Sequence, residues 1–218
     1  MLDKLDEWFA EDFGKGDFTS QAVVENIICE ANITGGPGII SGLNICLALL
    51  GRHDIDYTTD YSDGDTIDSP LIISLKGKAH DILATERLLL NILSHLSGIS
   101  THTNKIVKIA KEANPNVEIL ATRKTLPGLR DLEKEAVVHG GGQTHRMRLD
   151  DAILIKDNHL NLSNSIKESI SQSRIKYPDL MLEVEADNEE QALEIAECGA
   201  DRVMLDNFTP LDAAKTIK

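Results

Sequence analysis

The chain has 218 residues, 41% of them apolar, enough for one large core or two modest ones. A formal net charge of −14 and an aromatic content of 4% argue against a nucleic-acid surface, which gathers basic and stacking side chains on a broad face. No run approaches the roughly 18 apolar residues of a membrane span, and the acidic amphipathic start MLDKLDEWFAED lacks the apolar stretch of a signal peptide. The expectation is therefore a cytoplasmic protein with no membrane or nucleic-acid partner. Cys29, Cys46 and Cys198 are isolated among apolar residues, without CxxC or Cys/His metal spacing, and read as buried free thiols.

From the N-terminus, strand-like runs cover Asn26 to Ile33, Gly38 to Ile40, Ile55 to Thr59 and Leu71 to Leu75. Gly35, Gly36, Pro37, Gly64 and Pro70 punctuate them as turns, and Gly42 to Leu50 is helical. This is the rhythm of a small α+β unit. A long helix follows over Ala79 to Ala113, with a kink expected at Gly98. Its stretch ERLLLNILSHLSGIS is apolar over most of its circumference and should be buried, against this chain's own core or a partner chain. Glu86 and Arg87 on that helix read either as a solvated flank or as an arginine delivered across an interface.

After Pro115 the pattern alternates. The strands VEILAT, AILI, MLEVE and RVML precede the helical segments PGLRDLEKEAVVH, LNLSNSIKESISQSR, NEEQALEIAECG and TPLDAAKTIK. Repeated strand–helix units predict a parallel sheet with crossover helices, open or closed into a barrel. The domain boundaries expected from these two rhythms are 1–98 and 99–218.

These strands end in charge. VEILAT runs into Arg123 and Lys124, AILI into Lys156, MLEV into Glu185 and RVML into Asp206. In a (β/α) barrel such ends converge on one mouth. Arg presents a planar fork suited to carboxylate or phosphate, and Lys a compact charge suited to phosphate. Glu185 and Asp206 suit sugar hydroxyls or hydrated Mg²⁺. Gly140-Gly141-Gly142, before His145 and Arg146, reads either as an anion nest or as a turn. It is no P-loop. The pattern points to a small anionic ligand. His53, His80, His95 and His102 read as structural or surface residues.

TRKTLPGLR, EKEAVVHGGGQTHR, LIKDNH, LEVEA and VMLDN resemble the signatures of the quinolinate phosphoribosyltransferase family, the carboxylating nicotinate-nucleotide pyrophosphorylases. EDFGKGDFTS, GPGIISGL and ERLLLNILSHLSGIST match further blocks, in the family's order over nearly the whole chain. The resemblance implies an N-terminal α+β sandwich followed by an incomplete (β/α) barrel, working as a homodimer in NAD biosynthesis. It implies quinolinate and phosphoribosyl pyrophosphate as substrates, Mg²⁺ as cofactor, and nicotinate mononucleotide, pyrophosphate and CO₂ as products. Arg123, His145 and Arg146 would bind the quinolinate carboxylates, with Arg87 supplied by the partner subunit. Lys124 and Lys156 would face phosphate and pyrophosphate. Glu185 and Asp206 would hold ribose hydroxyls and Mg²⁺.

Thr144 stands where the family often has Asn. The glycine-rich segment that cradles the sugar 5-phosphate in the family does not occur before Lys218, so the expectation is a C-terminally truncated barrel, or one completed by another chain, with weak or absent activity as it stands. Two alternatives remain at this level. One is an inactive paralogue serving as a binding or dimer-forming subunit. The other is a relative from molybdenum-transport gene neighbourhoods, against which LIKDNH and LDN speak.

Overall fold

An antiparallel three-stranded sheet organises the first part of the chain in the computed structural model, which describes residues 4–217. Met1–Asp3, the start of the acidic amphipathic segment, and Lys218, the end of the last predicted helix, lie outside the described residues. The chain divides into two compact units, Met1–His145 and Arg146–Lys218.

The first unit opens with helices α1 (Leu5–Phe13) and α2 (Phe18–Val23). The Asp17 carboxylate caps α2 by accepting the Ser20 N–H at 3.0 Å. Strands β1 (Ile28–Thr34), β2 (Asp56–Thr58) and β3 (Leu71–Lys78) form the sheet in the order β1-β3-β2, with α3 (Leu43–Arg52) inserted before β2. β3 is central: Ile28 pairs with Lys78, and Tyr57 with Leu75. Its period-two alternation buries Ile73 and Leu75 and leaves Lys76 and Lys78 exposed. The buried face packs with Leu43, Leu49 and Leu50 of α3 and with Leu89, Leu93 and Leu96 of the long helix α4 (Ala79–Ala113). Each such buried Leu or Ile contributes roughly 1.5–3 kcal/mol.

The segment Gly38–Ile40, predicted as a strand, makes only an isolated bridge between Ile39 and Thr66. The reason is a tertiary contact: the Ile39 N–H goes to Thr101 Oγ1 on α4, at 2.8 Å, rather than to a neighbouring strand.

α4 is 35 residues long and continues as α-helix through Gly98. Its buried stripe reads Ala79, Ile82, Thr85, Leu89, Leu93, Leu96, Ser100, Thr103, Val107, with steps of three and four throughout. Within Glu86–Ser100, Leu89, Leu93 and Leu96 are buried and Leu88, Leu90, Ile92 and Ile99 half-buried, whereas Leu83, Ile106 and Ile109, outside that stretch, are exposed.

The unit closes with β4 (Leu120–Ala121), α5 (Arg130–His139) and β5 (Gln143–Thr144). β4 and β5 are parallel, Ala121 opposite Thr144. VEILAT thus yields only two strand residues, and β5 had no sequence signature. The glycine run between α5 and β5 is not an anion nest. All three amides are spent inside the chain, Gly140 on Ala136 O, Gly141 on Val138 O and Gly142 on Val137 O. A Cβ on Gly140 would lie 2.4 Å from Ser100 O and 2.7 Å from Thr103 Cβ, and one on Gly142 would lie 2.7 Å from Val137 Cγ1. These glycines let the turn after α5 press onto α4.

The second unit contains β6 (Ile153–Ile155), the one-turn α6 (Asp157–Leu160), α7 (Ile166–Lys176), β7 (Leu182–Ala186), α8 (Glu189–Glu197), β8 (Arg202–Leu205) and α9 (Pro210–Thr216). Its three strands are parallel in the order β6-β7-β8. Ser165, Asn188 and Thr209 cap α7, α8 and α9 by accepting the amide three residues on. That cap starts α7 at Ile166 and not at the predicted Leu160. Leu182, Val184 and Ala186 of β7 meet Ile155, Ile170, Ala192 and Ile195 in this unit's core. Alternation therefore sends Glu183 and Glu185 to the other face of β7, where both are also buried.

Candidate active site

Arg123 and Lys124 begin the loop that leaves β4, and His145 follows β5. The two strands are neighbours and parallel, so these residues share one end of the pair. The His145 N–H donates to Ala121 O at 3.3 Å, and the His145 carbonyl accepts Lys134 Nζ at 2.7 Å. Lys134 is 1% exposed, a lysine buried within α5 to fasten the backbone at His145. The Arg123 Nε is buried and has no hydrogen-bond partner among the described residues. Such a group is expected to find an acceptor, because an orphaned buried donor is costly. Arg87 stands exposed on α4, with no hydrogen bond or ion pair from its side chain among the described residues.

In the second unit Arg146 is half-buried and its Nη1 donates to Ala152 O at 3.1 Å, ahead of β6. The Asp151 carboxylate closes the intervening turn by accepting the amides of Met147 and Arg148. Lys156 follows β6, Glu185 lies near the end of β7, and Asp206 follows β8. Because the strands are parallel and adjacent, all three emerge at the same end. Lys156 Nζ and Glu185 Oε1 form an ion pair at 2.5 Å, with the Glu185 side chain 9% exposed and that of Lys156 41% exposed. The Asp206 N–H continues the ladder to Ala186 O at 3.0 Å, while its exposed carboxylate accepts Asn207 Nδ2 at 3.1 Å.

The structure thus gathers Arg123, Lys124 and His145 at one pair of strand ends, and Lys156, Glu185 and Asp206 at another trio. Arg146 directly follows His145 after β5 and opens the second unit, whereas Arg87 lies on α4 and on no strand end. The His159 ring, ambiguous from sequence, accepts the Lys156 N–H on its Nδ1 at 2.9 Å and shapes the turn after β6. Sequence reasoning missed Lys134, which the run EKE disguises as solvated charge. It also missed Glu133, whose carboxylate meets His95 Nε2 at 2.9 Å.

Among the described residues, no three or more His, Cys, Asp or Glu side chains are grouped to hold a metal by themselves. Glu185 and Asp206, on neighbouring strands, nevertheless supply two hard oxygen donors. That set suits Mg²⁺ sharing its coordination with ligand oxygens rather than caged by protein.

Two family models match the chain in order. Quinolinate phosphoribosyl transferase, N-terminal domain, matches residues 17–97, and the C-terminal domain of the same family matches residues 99–218. A probable nicotinate-nucleotide pyrophosphorylase [carboxylating] of Archaeoglobus fulgidus is 40% identical over 187 residues, covering 85% of this chain and 72% of the relative. The protein of the same name from Methanocaldococcus jannaschii is 40% identical over 210 residues, covering 95% and 74%. The solved nicotinate-nucleotide pyrophosphorylase from Francisella tularensis superposes with a TM-score of 0.90 at 35% identity, covering 99% of this chain and 77% of its own. With the two family models together matching residues 17–97 and 99–218 and two fifths of residues shared with such relatives, the chain belongs to the quinolinate phosphoribosyl transferase family.

Proposed function

We propose that this chain transfers the phosphoribosyl group of phosphoribosyl pyrophosphate to quinolinate and removes one carboxylate, giving nicotinate mononucleotide, pyrophosphate and CO₂. The family membership supports the reaction, and one observation carries the site: the buried, unpartnered Nε of Arg123. Arg123, His145 and Arg146 bind the quinolinate carboxylates, the guanidinium groups matching them in a bidentate way. Lys124, exposed at the start of its loop, and Lys156 offset the charge of the phosphate and pyrophosphate groups. Glu185 and Asp206 accept from ribose hydroxyls and would hold Mg²⁺, which when bound neutralises the departing pyrophosphate.

The C1–O bond to pyrophosphate breaks with its electron pair leaving on pyrophosphate, and the pyridine nitrogen lone pair forms the new bond to C1. The bond to the carboxylate beside the now cationic nitrogen then breaks. CO₂ departs, the electron pair stays on the ring carbon next to the nitrogen, and a proton takes its place. The protein's main work is to hold two polyanions together and offset their repulsion. The Lys156–Glu185 pair keeps that lysine in place before substrate arrives.

We further propose a homodimer in which Arg87 serves the site of the other copy. Its exposed side chain, unpaired among the described residues, supports that role.

The test is to supply quinolinate, phosphoribosyl pyrophosphate and Mg²⁺ and follow nicotinate mononucleotide. The expected result is product formation by the wild type, with Arg123→Ala losing quinolinate binding while its circular dichroism is unchanged. A wild type that neither makes product nor binds quinolinate overturns the assignment.

A further inference from the structure

Glu133 lies in the first turn of α5 and is 8% exposed. A buried carboxylate is costly unless its oxygens are satisfied, and here both are used. Oε1 meets His95 Nε2 on α4 at 2.9 Å, and Oε2 accepts the Leu126 N–H at 3.1 Å. One tie therefore reaches the longest helix of the unit. The other reaches the middle of the loop that carries Arg123 and Lys124. Of the loop's other ties, Lys124 N–H to Thr122 Oγ1, Arg130 Nε to Thr125 Oγ1 and Leu129 N–H to Leu126 O are local, and Gly128 O accepts Lys4 Nζ at 3.5 Å on the exposed surface. None of these hydrogen bonds fastens the loop to α4.

We propose that Glu133, anchored by His95, is a positioning residue for substrate binding: it clamps the Leu126 amide, and so fixes where the Arg123 guanidinium stands before quinolinate arrives. The inference rests on the quinolinate reading above. It deepens that reading by naming a group that touches no substrate yet sets the affinity for one of the two. Preorganised groups bind more tightly because less ordering remains to be done on binding. Losing the clamp should therefore weaken quinolinate binding more than it slows the chemical step.

Three variants of the full chain test this. Glu133→Gln keeps both ties, since the amide oxygen accepts from the Leu126 N–H and the amide NH₂ pairs with His95 Nε2. Glu133→Ala removes both. His95→Ala removes the anchor alone and serves where Glu133→Ala fails to fold. Hydrogen–deuterium exchange of the peptide covering residues 122–129 is measured first, then quinolinate affinity by calorimetry and the KM and kcat for quinolinate. Glu133→Ala should exchange about tenfold faster in that peptide and bind quinolinate about tenfold more weakly, as expected for loss of a hydrogen bond to a charged group, with kcat less affected. Glu133→Gln should stay within about threefold of wild type, because its hydrogen bonds persist. Unchanged exchange in Glu133→Ala overturns the clamp. Raised exchange with unchanged affinity overturns its role in binding, and so does a Gln variant as impaired as Ala. Wild type that binds no quinolinate sinks the functional reading instead, and the exchange rates still decide the clamp.

Discussion

Gly140→Ala isolates the contact between the turn after α5 and α4. Gly140 itself has φ −74°, a conformation any residue accepts, so the backbone is not the issue. Space is: an added Cβ would meet Ser100 O at 2.4 Å and Thr103 Cβ at 2.7 Å, the first a backbone atom of α4 that cannot rotate away. The turn and α4 must separate by close to an ångström. Overpacking of this kind costs about 1–3 kcal/mol, offset by about 0.4–1 kcal/mol from the stiffer unfolded chain. The net loss of about 1–2 kcal/mol should lower the melting temperature by about 2–8 °C for a chain of this size. Gly98→Ala is the control. It sits in mid-helix with nothing within 4 Å of its would-be Cβ. It should gain up to about 1 kcal/mol and melt about 2–4 °C higher. Both are read by scanning calorimetry beside wild type. A neutral or stabilising Gly140→Ala would refute the close-packing account, and a destabilising Gly98→Ala would mean that something packs at that position.

Two further outcomes follow from single side chains. The Leu182 amide and Arg174 hold the Asp201 carboxyl below its usual range, so its stabilisation is present above the unfolded value of about 3.9 and is lost as pH falls through the lower folded value. Asp201→Asn should therefore melt below wild type at pH 7 and converge with it in strong acid. A gap independent of pH would contradict this. Burial pushes the Cys46 thiol far up, and its Sγ lies 3.7 Å from Leu89 O, whereas Cys29 and Cys198 are half-buried. A thiol reagent at pH 8 should modify at most two cysteines in the native protein and the third only after unfolding. Three fast equivalents would show that the α3–α4 core opens.

The parts of the fold that were legible in sequence are those whose burial is periodic. α4 announced itself because its apolar side chains recur every three or four residues over some nine turns with no proline. β6, β7 and β8 announced themselves as short apolar runs, and the polar residues at their ends drew attention to Lys156, Glu185 and Asp206. What was illegible depends on partners distant in sequence. Gly38–Ile40 looks like a strand until Thr101 takes its amide. The glycine run looks like a nest until α4 is seen pressing on it. Lys134 and Glu133 sit in a charged stretch that periodicity assigns to solvent. His95 looks like an ordinary surface histidine until the carboxylate 38 residues on is placed beside it.

The long helix bears on how this protein can be taken apart. The family models meet near residue 98, yet the buried stripe of α4 passes that point without a break, from Leu96 to Ser100. Ancestry and mechanics therefore draw different lines. At about 1.5 Å per residue the helix is a beam of roughly 50 Å, and a beam transmits bending rather than absorbing it at a joint. A fragment ending at residue 97 would keep the stripe up to Leu96 and lose Ser100 and Thr103, against which Gly140 is pressed. Dissection at His145–Arg146, where the compact units part, leaves the beam whole.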